Sequence, residues 1–459
     1  MEKFDLIVIG SGPAGEKAAL QAAYYGKSVC VIDKGPAGGA WVNTGTIPSK
    51  TLRESALYLA GGRRRGVVGQ PMPTIRSFMA LKRHLVSRWR EKIESGFRAR
   101  GVARRLGEAR FVDAHTVEID GETRLSADYI LIATGSHPRP APELPVDGEA
   151  VHDSDTLLRM DAIPHSMIVL GGGVIACEYA SIFQALGVQV TLINGRDRLL
   201  GFIDPEATDF LEAALIEAGM VVRHDARAEG LRQVEKNQVE VRLDDGTLAS
   251  AETVFVALGR KPAIEGLNLE AAGVALTDWG AIAVDGEMRT SQPNIYAAGD
   301  VVGFPSLASA GMEQGRVAAC HMFDHQRGPV DELIPGGIFT IPELSSVGMD
   351  ARAAREAGFD PVTGSAHYRE NVRGPMLGEE LGMVKLVADR ASGRLLGATI
   401  VGAQATELIH FAMAAIKYGG TVEQLTRFVF NLPSLSALYR QAAYAALDAM
   451  TATTSGEES

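Results

Sequence analysis

A glycine-rich hexapeptide directly follows the first apolar run of the chain, and it constrains the fold more than any other feature. Residues 4–9 have the composition of a buried strand, and residues 10–15 read G-S-G-P-A-G. These glycines allow a tight turn, close approach of the backbone to a pyrophosphate and close helix–sheet packing. A helical stretch and a second apolar run, 29–32, follow, and Asp33 ends that run. This order predicts a βαβ unit that binds a dinucleotide, with the acid at ribose hydroxyls.

A second copy of the pattern begins near residue 167. Residues 171–176 read G-G-G-V-I-A after another apolar run, with alanine at the third position, which the motif tolerates. Where a NAD-selective site carries an acid, the chain has Asn194, followed by Arg196 and Arg198. Arginine pairs bidentately with a 2′-phosphate that a carboxylate would repel. The second site is therefore expected to accept NADP(H) without excluding NAD(H). The alternative is that both arginines only cap the strand end in solvent.

Composition narrows the function classes. A chain of 459 residues suggests about three domains. The net charge of −11 argues against a sequence-independent grip on nucleic acid or an anionic membrane. No apolar run reaches the roughly 18 residues of a membrane span. The three cysteines lie far apart, so neither a metal site nor a disulfide framework is expected. With no signal-peptide pattern at the start, the cytoplasm is the expected location.

Several motifs together resemble the pyridine nucleotide–disulfide oxidoreductases, the relatives of dihydrolipoamide dehydrogenase, glutathione reductase and mercuric reductase. They are the two fingerprints, A-T-G-S at residues 133–136 and Y-A-A-G-D at residues 296–300, in the order that the family has. Within this family the chain is similar to the soluble pyridine nucleotide transhydrogenases. The stretches that carry this similarity are 153–156, 177–183, 193–200, 305–310 and 339–348.

The resemblance implies an α/β fold with two Rossmann-like dinucleotide-binding domains, for FAD and NAD(P), plus a C-terminal α+β dimerisation domain, and hence a homodimer. The implied cofactors are FAD and NAD(P)(H). The implied boundaries are a first part of the FAD domain at 1–150, the NAD(P) domain at 151–270, a central region with the second part of the FAD domain at 271–335, the dimerisation domain at 336–450 and a disordered tail at 451–459.

The same resemblance implies specific contacts to the two dinucleotides. Asp33 is expected at the FAD ribose and Asp300 at the ribitol or pyrophosphate. A helix starting near Ser306 is expected to point its positive end at the pyrimidine side of the flavin. The cofactor-binding residues, for both dinucleotides together, are Gly10, Gly12, Pro13, Ala14, Gly15, Asp33, Lys34, Gly39, Thr134, Gly135, Gly171, Gly173, Val174, Ile175, Asn194, Arg196, Gly259, Gly299, Asp300, Leu307 and Ala308.

The redox disulfide of that family is missing. Its signature is G-G-x-C-x-x-x-x-C-x-P-S-K, whereas residues 38–50 read G-G-A-W-V-N-T-G-T-I-P-S-K, so Trp41 and Thr46 replace both cysteines. Neither side chain forms a thiolate, which excludes thiol–disulfide exchange at this position. The family's proton-handling H-P-T-x-x-E reads L-P-S-L-S-A at residues 432–437. Disulfide reduction is therefore not expected.

The part of the family machinery that handles hydride is retained. The resemblance implies that Lys50 pairs with Glu178 beside the flavin N5. Val174 occupies a position at which some relatives place a tyrosine, which would leave the nicotinamide pocket more open. Thr46 matches the soluble transhydrogenases, but Trp41 stands where they keep a cysteine. Trp41 either fills the former disulfide space or offers a platform on which a flat acceptor such as a quinone stacks.

Three functions follow from this pattern. The first is hydride exchange between NADPH and NAD+, with the two nucleotides using one pocket in turn and Lys50, Glu178, Thr46 and Trp41 at the reacting centre. The second is an NAD(P)H:quinone or diaphorase-type reductase, which the emptied disulfide site favours. The third is a flavin-bound redox sensor without catalysis, against which the two retained nucleotide motifs argue.

Overall fold

The computed structural model describes residues 1–64, 74–235, 238–325 and 328–452. The first sheet is built around the strand Glu2–Ile9, which pairs in parallel with strands on both sides. Two antiparallel pairings extend it at one edge. The strands in spatial order are Ala103–Leu106, Val29–Asp33, Glu2–Ile9, Thr123–Ile132, Thr116–Ile119 and Ala109–Asp113, with Ile295–Ala297 paired in parallel to Thr123–Ile132.

Helices cover this sheet. Pro13 opens the first of them, where its missing N–H costs nothing and its fixed φ suits the helix. The expected helix at 78–98 spans Ile75–Ala99, with Thr74 as the N-cap that accepts from the Ser77 amide. The helices of this region are Pro13–Tyr24, Gly39–Asn43, Thr46–Arg64, Ile75–Ala99, Leu269–Ala272 and Ala308–Met322, with a 3-10 turn at Asp300–Val302.

Two of these helices pack with almost no space between their backbones. A Cβ on Gly315 of the helix Ala308–Met322 would lie 2.1 Å from the carbonyl oxygen of Ala14, in the helix Pro13–Tyr24. Gly15 is equally close to the turn before its own helix, since a Cβ there would lie 1.9 Å from the carbonyl oxygen of Gly10. Only glycine permits such approach. The third glycine of the first fingerprint therefore lets the helix pack on the turn before it, and Gly315 lets a second helix pack on the first.

The second nucleotide-binding region is a parallel sheet of five strands. Their spatial order is Val221–Arg223, Gln189–Ile193, Ser166–Leu170, Thr253–Val256 and Val151–His152. Its helices are Val174–Ala185 and Pro205–Glu217, with a 3-10 turn at Leu157–Arg159. An antiparallel meander of Ala228–Glu235, Gln238–Leu243 and Leu248–Ala251 adjoins it. A short antiparallel pair, Ser136–Pro138 with Arg260–Pro262, connects the two nucleotide-binding regions.

The C-terminal region is an antiparallel sheet covered by helices. The spatial order is Gly336–Ile338, Leu344–Gly348, Leu395–Val401, Met383–Asp389 and Pro361–His367. The helices are Ala351–Glu356, Arg373–Leu377, Ala405–Lys417, Val422–Thr426 and Leu438–Thr451, with 3-10 turns at Tyr368–Glu370 and Leu435–Ala437. Tyr368 and Tyr439 are fully buried in its core.

The chain passes from the first region to the second and then back to the first. The strand Ile295–Ala297 joins the first sheet, so the chain returns to the first region after the second. The expected start of the tail at Thr451 is wrong, because Thr451 is the last residue of the helix Leu438–Thr451, and residues 453–459 lie outside the described part of the chain. Within the described residues, no helix is long and apolar enough to cross a membrane.

Candidate active site

A cleft of about 990 Å³ opens where the three regions meet. The turn after the first strand, the segment 39–50 and the start of the helix Ala308–Met322 all reach it. Most of the residues expected to bind a cofactor or act in catalysis line this cleft: Gly10, Gly12, Pro13, Ala14, Asp33, Lys34, Gly39, Trp41, Thr46, Lys50, Thr134, Gly135, Val174, Ile175, Glu178, Gly299, Asp300, Leu307 and Ala308.

The first fingerprint and the acid after it form one hydrogen-bonded unit. The carboxylate of Asp33 accepts from the backbone N–H and hydroxyl of Ser11, at 2.6 and 2.5 Å, and from the Gly35 N–H at 2.9 Å. Gly10 has a φ of +101°, and a Cβ there would lie 2.3 Å from the Ala133 carbonyl oxygen. The turn is therefore held open for a ligand by glycine and fixed in place by Asp33. Lys34 is exposed and pairs with Glu108 at 3.5 Å.

Three observations show that the cleft fits a bound dinucleotide. The buried Oγ1 of Thr134 has no hydrogen-bond partner within the described residues. A Cβ on Gly39 would lie 2.9 Å from the Cα of Gly12, so the two walls of the cleft approach through bare backbone. Leu307 gives the helix Ala308–Met322 no side-chain cap. The first N–H groups of this helix are therefore free to face anionic or electron-rich atoms in the cleft.

The opposite wall of the cleft carries a series of hydrogen-bonded polar side chains that the motifs do not predict. Ser136 donates a hydrogen bond to the carboxylate of Asp300 at 2.7 Å, and the Nε of Arg260 donates to the Ser136 hydroxyl at 2.8 Å. Arg260 also lines the cleft. Sequence reasoning missed Arg260 because its partner lies more than a hundred residues away and no fingerprint includes it. These hydrogen bonds hold Asp300 in a fixed position at the cleft.

The centre of the cleft holds an ion pair. The Nζ of Lys50 lies 2.7 Å from both carboxylate oxygens of Glu178. Glu178 is buried, and its Oε1 also accepts from the backbone N–H of Phe339 at 2.9 Å. The ammonium lies 4.9 Å from the centre of the Phe339 ring, in cation–π geometry. The expected pairing is present, and Phe339 is a further residue of the site that the sequence reasoning used only for the family resemblance.

Trp41 borders the cleft and is also packed. It lies in the short helix Gly39–Asn43 and meets Trp89 edge-on, with ring centroids 5.3 Å apart. The Lys92 ammonium lies 4.1 Å from the Trp89 ring centre. Thr46 begins the next helix, Thr46–Arg64. Because one indole packs against another, this geometry favours a space-filling role for Trp41 over a free platform.

No thiol reaches this site. Cys30, Cys177 and Cys320 are all buried and unbridged, and none lines the cleft. Burial raises the pKa of the Cys177 thiol to about 12 and that of Cys30 to about 11. Cys177, next to Glu178, is therefore a core residue and not a nucleophile. Within the described residues, no group of three or more His, Cys, Asp or Glu side chains could hold a metal ion.

The second fingerprint lies beside the cleft and repeats the geometry of the first. Gly171 has a φ of +121°, and a Cβ there would lie 2.5 Å from the Ala257 carbonyl oxygen. Gly173 precedes the helix Val174–Ala185 without a side-chain cap, which leaves the first N–H groups of that helix open to a ligand. Gly259 follows the adjacent strand, also with a positive φ, at +106°.

The strand end expected to select the second nucleotide carries hydrogen bonds within its own loop. Asn194 is buried, and its amide nitrogen donates to the carbonyls of Arg196 and Arg198 at 3.0 and 2.9 Å. Both amide hydrogens are thereby used, so Asn194 shapes the loop under the nucleotide motif. Arg198 pairs with Asp209 and donates to the Pro205 carbonyl at 3.0 Å. Of the two arginines considered for a 2′-phosphate, only Arg196 is exposed and has no ion-pair partner among the described residues.

Comparison with known proteins agrees with this geometry. Residues 4–315 match the family model described as pyridine nucleotide-disulphide oxidoreductase, and residues 334–443 match the dimerisation domain of the same family. The chain is 39% identical to a protein of Mycobacterium bovis named soluble pyridine nucleotide transhydrogenase, covering 98% of this chain and 99% of that protein. A Photorhabdus laumondii protein of the same name is 37% identical, over 96% and 97% of the two chains.

Solved structures agree as well. LpdA of Mycobacterium tuberculosis superimposes with a TM-score of 0.89 at 30% identity, over 97% of this chain and 99% of that one. The copper(II) complex of RclA, an HOCl-induced flavoprotein disulfide reductase of Escherichia coli, has a TM-score of 0.89 at 26% identity, with the same coverage. The two family models together span most of the chain, and the relatives match it nearly end to end. The chain belongs to the pyridine nucleotide-disulphide oxidoreductase family.

Proposed function

We propose that this chain is an FAD-dependent oxidoreductase that transfers hydride from NADPH to NAD+, without a redox disulfide. The observation that carries the proposal is the Lys50–Glu178 pair, at 2.7 Å, in a cleft that no cysteine reaches. A disulfide reductase needs a thiolate next to its flavin. This cleft offers instead a fixed charge pair between two nucleotide-binding motifs. The names of the relatives, as soluble pyridine nucleotide transhydrogenases, support the same reaction.

When FAD is bound, its isoalloxazine ring accepts and returns the hydride. The residues of this chain supply position and charge. The Gly10–Gly12 turn and the start of the helix Ala308–Met322 would hold the pyrophosphate and the pyrimidine side of the ring. Lys50 would stabilise negative charge that develops on the ring, and Glu178 and Phe339 keep its ammonium in place.

One pocket has to receive two nicotinamide nucleotides in turn. No carboxylate stands at the position of Asn194 to reject a 2′-phosphate, and Arg196 is exposed nearby. The tight turns at Gly171 and Gly173 would hold the pyrophosphate of either nucleotide. We propose that the other residues named in the sequence analysis as binding FAD or NAD(P)(H) do so as described there.

We propose that the domain boundaries lie at residues 150, 270 and 335, as expected from the motifs. The short strand pair of Ser136–Pro138 with Arg260–Pro262 lies close to two of these borders and supports them. The dimerisation-domain match at 334–443 and the exposed side chains of Val429 and Leu432 support a homodimer. Free cysteines support a reducing compartment, and we propose the cytoplasm.

Initial-rate kinetics test the proposed reaction. NADPH and thio-NAD+ are varied against each other while thio-NADH is followed. Exchange at a catalytic rate with parallel double-reciprocal lines is the expected result, because the two nucleotides use the site in turn. Absence of thio-NADH formation by the FAD-loaded enzyme would reject the proposal.

A quinone reductase is the second candidate, and the position of Trp41 at the cleft is the observation that favours it. Trp41→Phe keeps an apolar ring against Trp89, whereas Trp41→Cys removes the ring. If Trp41 only fills space, any quinone-dependent oxidation of NADPH stays the same in the Cys variant. A selective loss of the quinone rate in Trp41→Cys, with thio-NAD+ exchange retained, would instead identify a stacking platform.

A further inference from the structure

We propose that Arg227 forms, together with Arg196, a two-arginine clamp for the 2′-phosphate of NADP(H), and that residue 195 is a glycine so that Arg227 can cross it. The inference rests on the proposed function, because it names the part of the substrate that the second nucleotide site reads. Arg227 lies outside the fingerprint, just before the first strand of the meander.

The backbone brings the two arginines to the same edge of the sheet. The strands Gln189–Ile193 and Val221–Arg223 are parallel neighbours, so the loops after them leave the sheet side by side. The N–H of Asp225 donates to the Arg196 carbonyl at 3.1 Å, and that of Ala226 donates to the Asn194 carbonyl at 3.2 Å. The N–H of Arg227 is itself fixed, since it donates to the carboxylate of Asp244 at 3.0 Å.

The side chain of Arg227 lies directly over Gly195. A Cβ on Gly195 would be 3.0 Å from the Cγ and 3.4 Å from the Nε of Arg227. The backbone at Gly195 does not have the positive φ that demands glycine, so the constraint comes from space alone. The aliphatic part of Arg227 therefore takes the place of a side chain at residue 195, the residue that directly precedes Arg196.

The charges at this edge leave these two arginines available. Arg198 is engaged by Asp209, and Arg223 pairs with Asp245 at 3.1 Å. In the described ranges, neither Arg196 nor Arg227 forms an ion pair, although the exposed Asp197 and Asp225 lie in the same loops. Two guanidinium groups without carboxylate partners suit a dianionic phosphate, which arginine binds bidentately.

The position of the pair specifies which phosphate it would read. In a dinucleotide fold, the end of the second strand faces the ribose 2′ position of the adenosine half, where arginine accommodates a 2′-phosphate. Asn194 occupies that strand end, but its side-chain amide donates its hydrogen bonds to the loop carbonyls. Discrimination between NADP(H) and NAD(H) thus falls to Arg196 and Arg227.

Isothermal titration of the FAD-loaded enzyme with 2′,5′-ADP and with 5′-AMP tests the clamp without any turnover. Arg227→Gln is expected to weaken 2′,5′-ADP about tenfold, the loss of one charged hydrogen-bonding partner, and to leave 5′-AMP unchanged. The matched control is Arg242→Gln, an exposed arginine of the same meander that pairs with Glu229 at 3.6 Å. Unchanged 2′,5′-ADP binding in Arg227→Gln, or an equal loss for 5′-AMP, would overturn the clamp.

A second variant tests the geometry separately from the charge. Gly195→Ala keeps both arginines but pushes the Arg227 stem aside, so the same selective loss for 2′,5′-ADP is expected, at a few-fold. If 2′,5′-ADP binds this variant as it binds the unaltered enzyme, Gly195 has no part in placing Arg227 and the geometric argument fails. Thio-NAD+ exchange by the unaltered enzyme distinguishes a failure of the clamp from a failure of the proposed reaction. If the unaltered enzyme exchanges hydride but Arg227→Gln binds 2′,5′-ADP normally, only the clamp is rejected. If the unaltered enzyme shows no exchange but Arg227→Gln selectively loses 2′,5′-ADP binding, only the proposed reaction is rejected.

Discussion

Both carboxylate oxygens of Glu178 accept hydrogen bonds from the Lys50 ammonium, at 2.7 Å, and one of them also accepts from the Phe339 N–H, at 2.9 Å. Lys50 lies on the helix Thr46–Arg64, Glu178 on the helix Val174–Ala185, and Phe339 just after the strand Gly336–Ile338. Each contact thus comes from a different region of the chain. The proposed reacting centre is complete only when all three regions have packed together.

The first prediction concerns this pair. Glu178→Gln keeps the size and one acceptor oxygen but leaves the Lys50 ammonium without its counter-ion. Reduction of the bound flavin by NADPH is expected to slow about 100-fold, the order found when one preorganised electrostatic group is removed. Stopped-flow absorbance measures this rate. Glu240→Gln, in a pair with the exposed Arg232 outside the cleft, is the control and should reduce at the normal rate. A normal rate in Glu178→Gln would remove the pair from the mechanism.

The second prediction concerns the tight contact between two helices. Gly315→Ala places a Cβ 2.1 Å from the Ala14 carbonyl oxygen, which forces the helix Pro13–Tyr24 away from the cleft. Thermal unfolding should show a loss of about 1–3 kcal/mol, and FAD should dissociate more readily. Gly96→Ala is the control. A Cβ there meets nothing within 4 Å, and the helix should gain about 0.5–1 kcal/mol. Equal stability of the two variants would contradict the packing argument.

The third prediction concerns the thiols. Burial raises the pKa of Cys30 to about 11 and that of Cys177 to about 12, so both stay protonated at neutral pH. The folded protein is expected to leave these two thiols unlabelled by a thiolate-directed reagent, and denaturant should expose both. Mass spectrometry of the labelled peptides identifies each site. Rapid labelling of Cys177 in the native enzyme would show that a reactive thiol does exist next to Glu178.

The fourth prediction concerns Asp155, whose Oδ1 is buried and has no hydrogen-bond partner in the described part of the chain. Burial raises the pKa of this carboxyl above its ordinary 3.8, although Arg260 opposes the shift. The folded state therefore holds the proton more tightly than the unfolded chain, and stability falls as pH rises from 3.8 through the folded pKa.

Asp155→Asn has no carboxyl group to titrate, so its stability should not fall with pH through this group. Urea unfolding across a pH series is expected to show the variant gaining stability relative to the parent through that window. The gain should stay constant at higher pH. Parallel stability curves for the two proteins would mean that the Asp155 carboxyl ionises as readily in the folded state as in the unfolded chain.

The sequence was sufficient for the features that depend on local patterns. The two βαβ units follow from apolar runs and glycine turns, and Lys50 and Glu178 follow from motifs with a fixed register. The absence of a disulfide also followed from register alone, since the flanking glycines and P-S-K placed Trp41 and Thr46. The family and its cofactors, FAD and NAD(P)H, were identified in the same way and are confirmed by the family models.

The features that sequence reasoning missed depend on contacts between distant segments. Arg260 reaches Ser136 across more than a hundred residues, and Arg227 reaches Gly195 from a neighbouring loop. No periodicity or motif encodes such pairs. The strand-end pattern makes Arg198 a candidate for phosphate binding and does not show that Asp209, in the following helix, pairs with it. The strand-end position of Asn194 predicts that it lies near the nucleotide, but its hydrogen bonds to the loop carbonyls depend on a turn that the motif does not specify.

Rapid mixing under anaerobic conditions tests the central claim most directly. The purified FAD-loaded protein is reduced with one equivalent of NADPH and then mixed with thio-NAD+ or, separately, with a quinone. We predict that thio-NAD+ restores the flavin absorbance at a rate no slower than steady-state turnover. Restoration by the quinone alone would contradict hydride exchange between nicotinamide nucleotides and would identify a quinone reductase on the same frame. Restoration by neither would contradict both and favour a sensor.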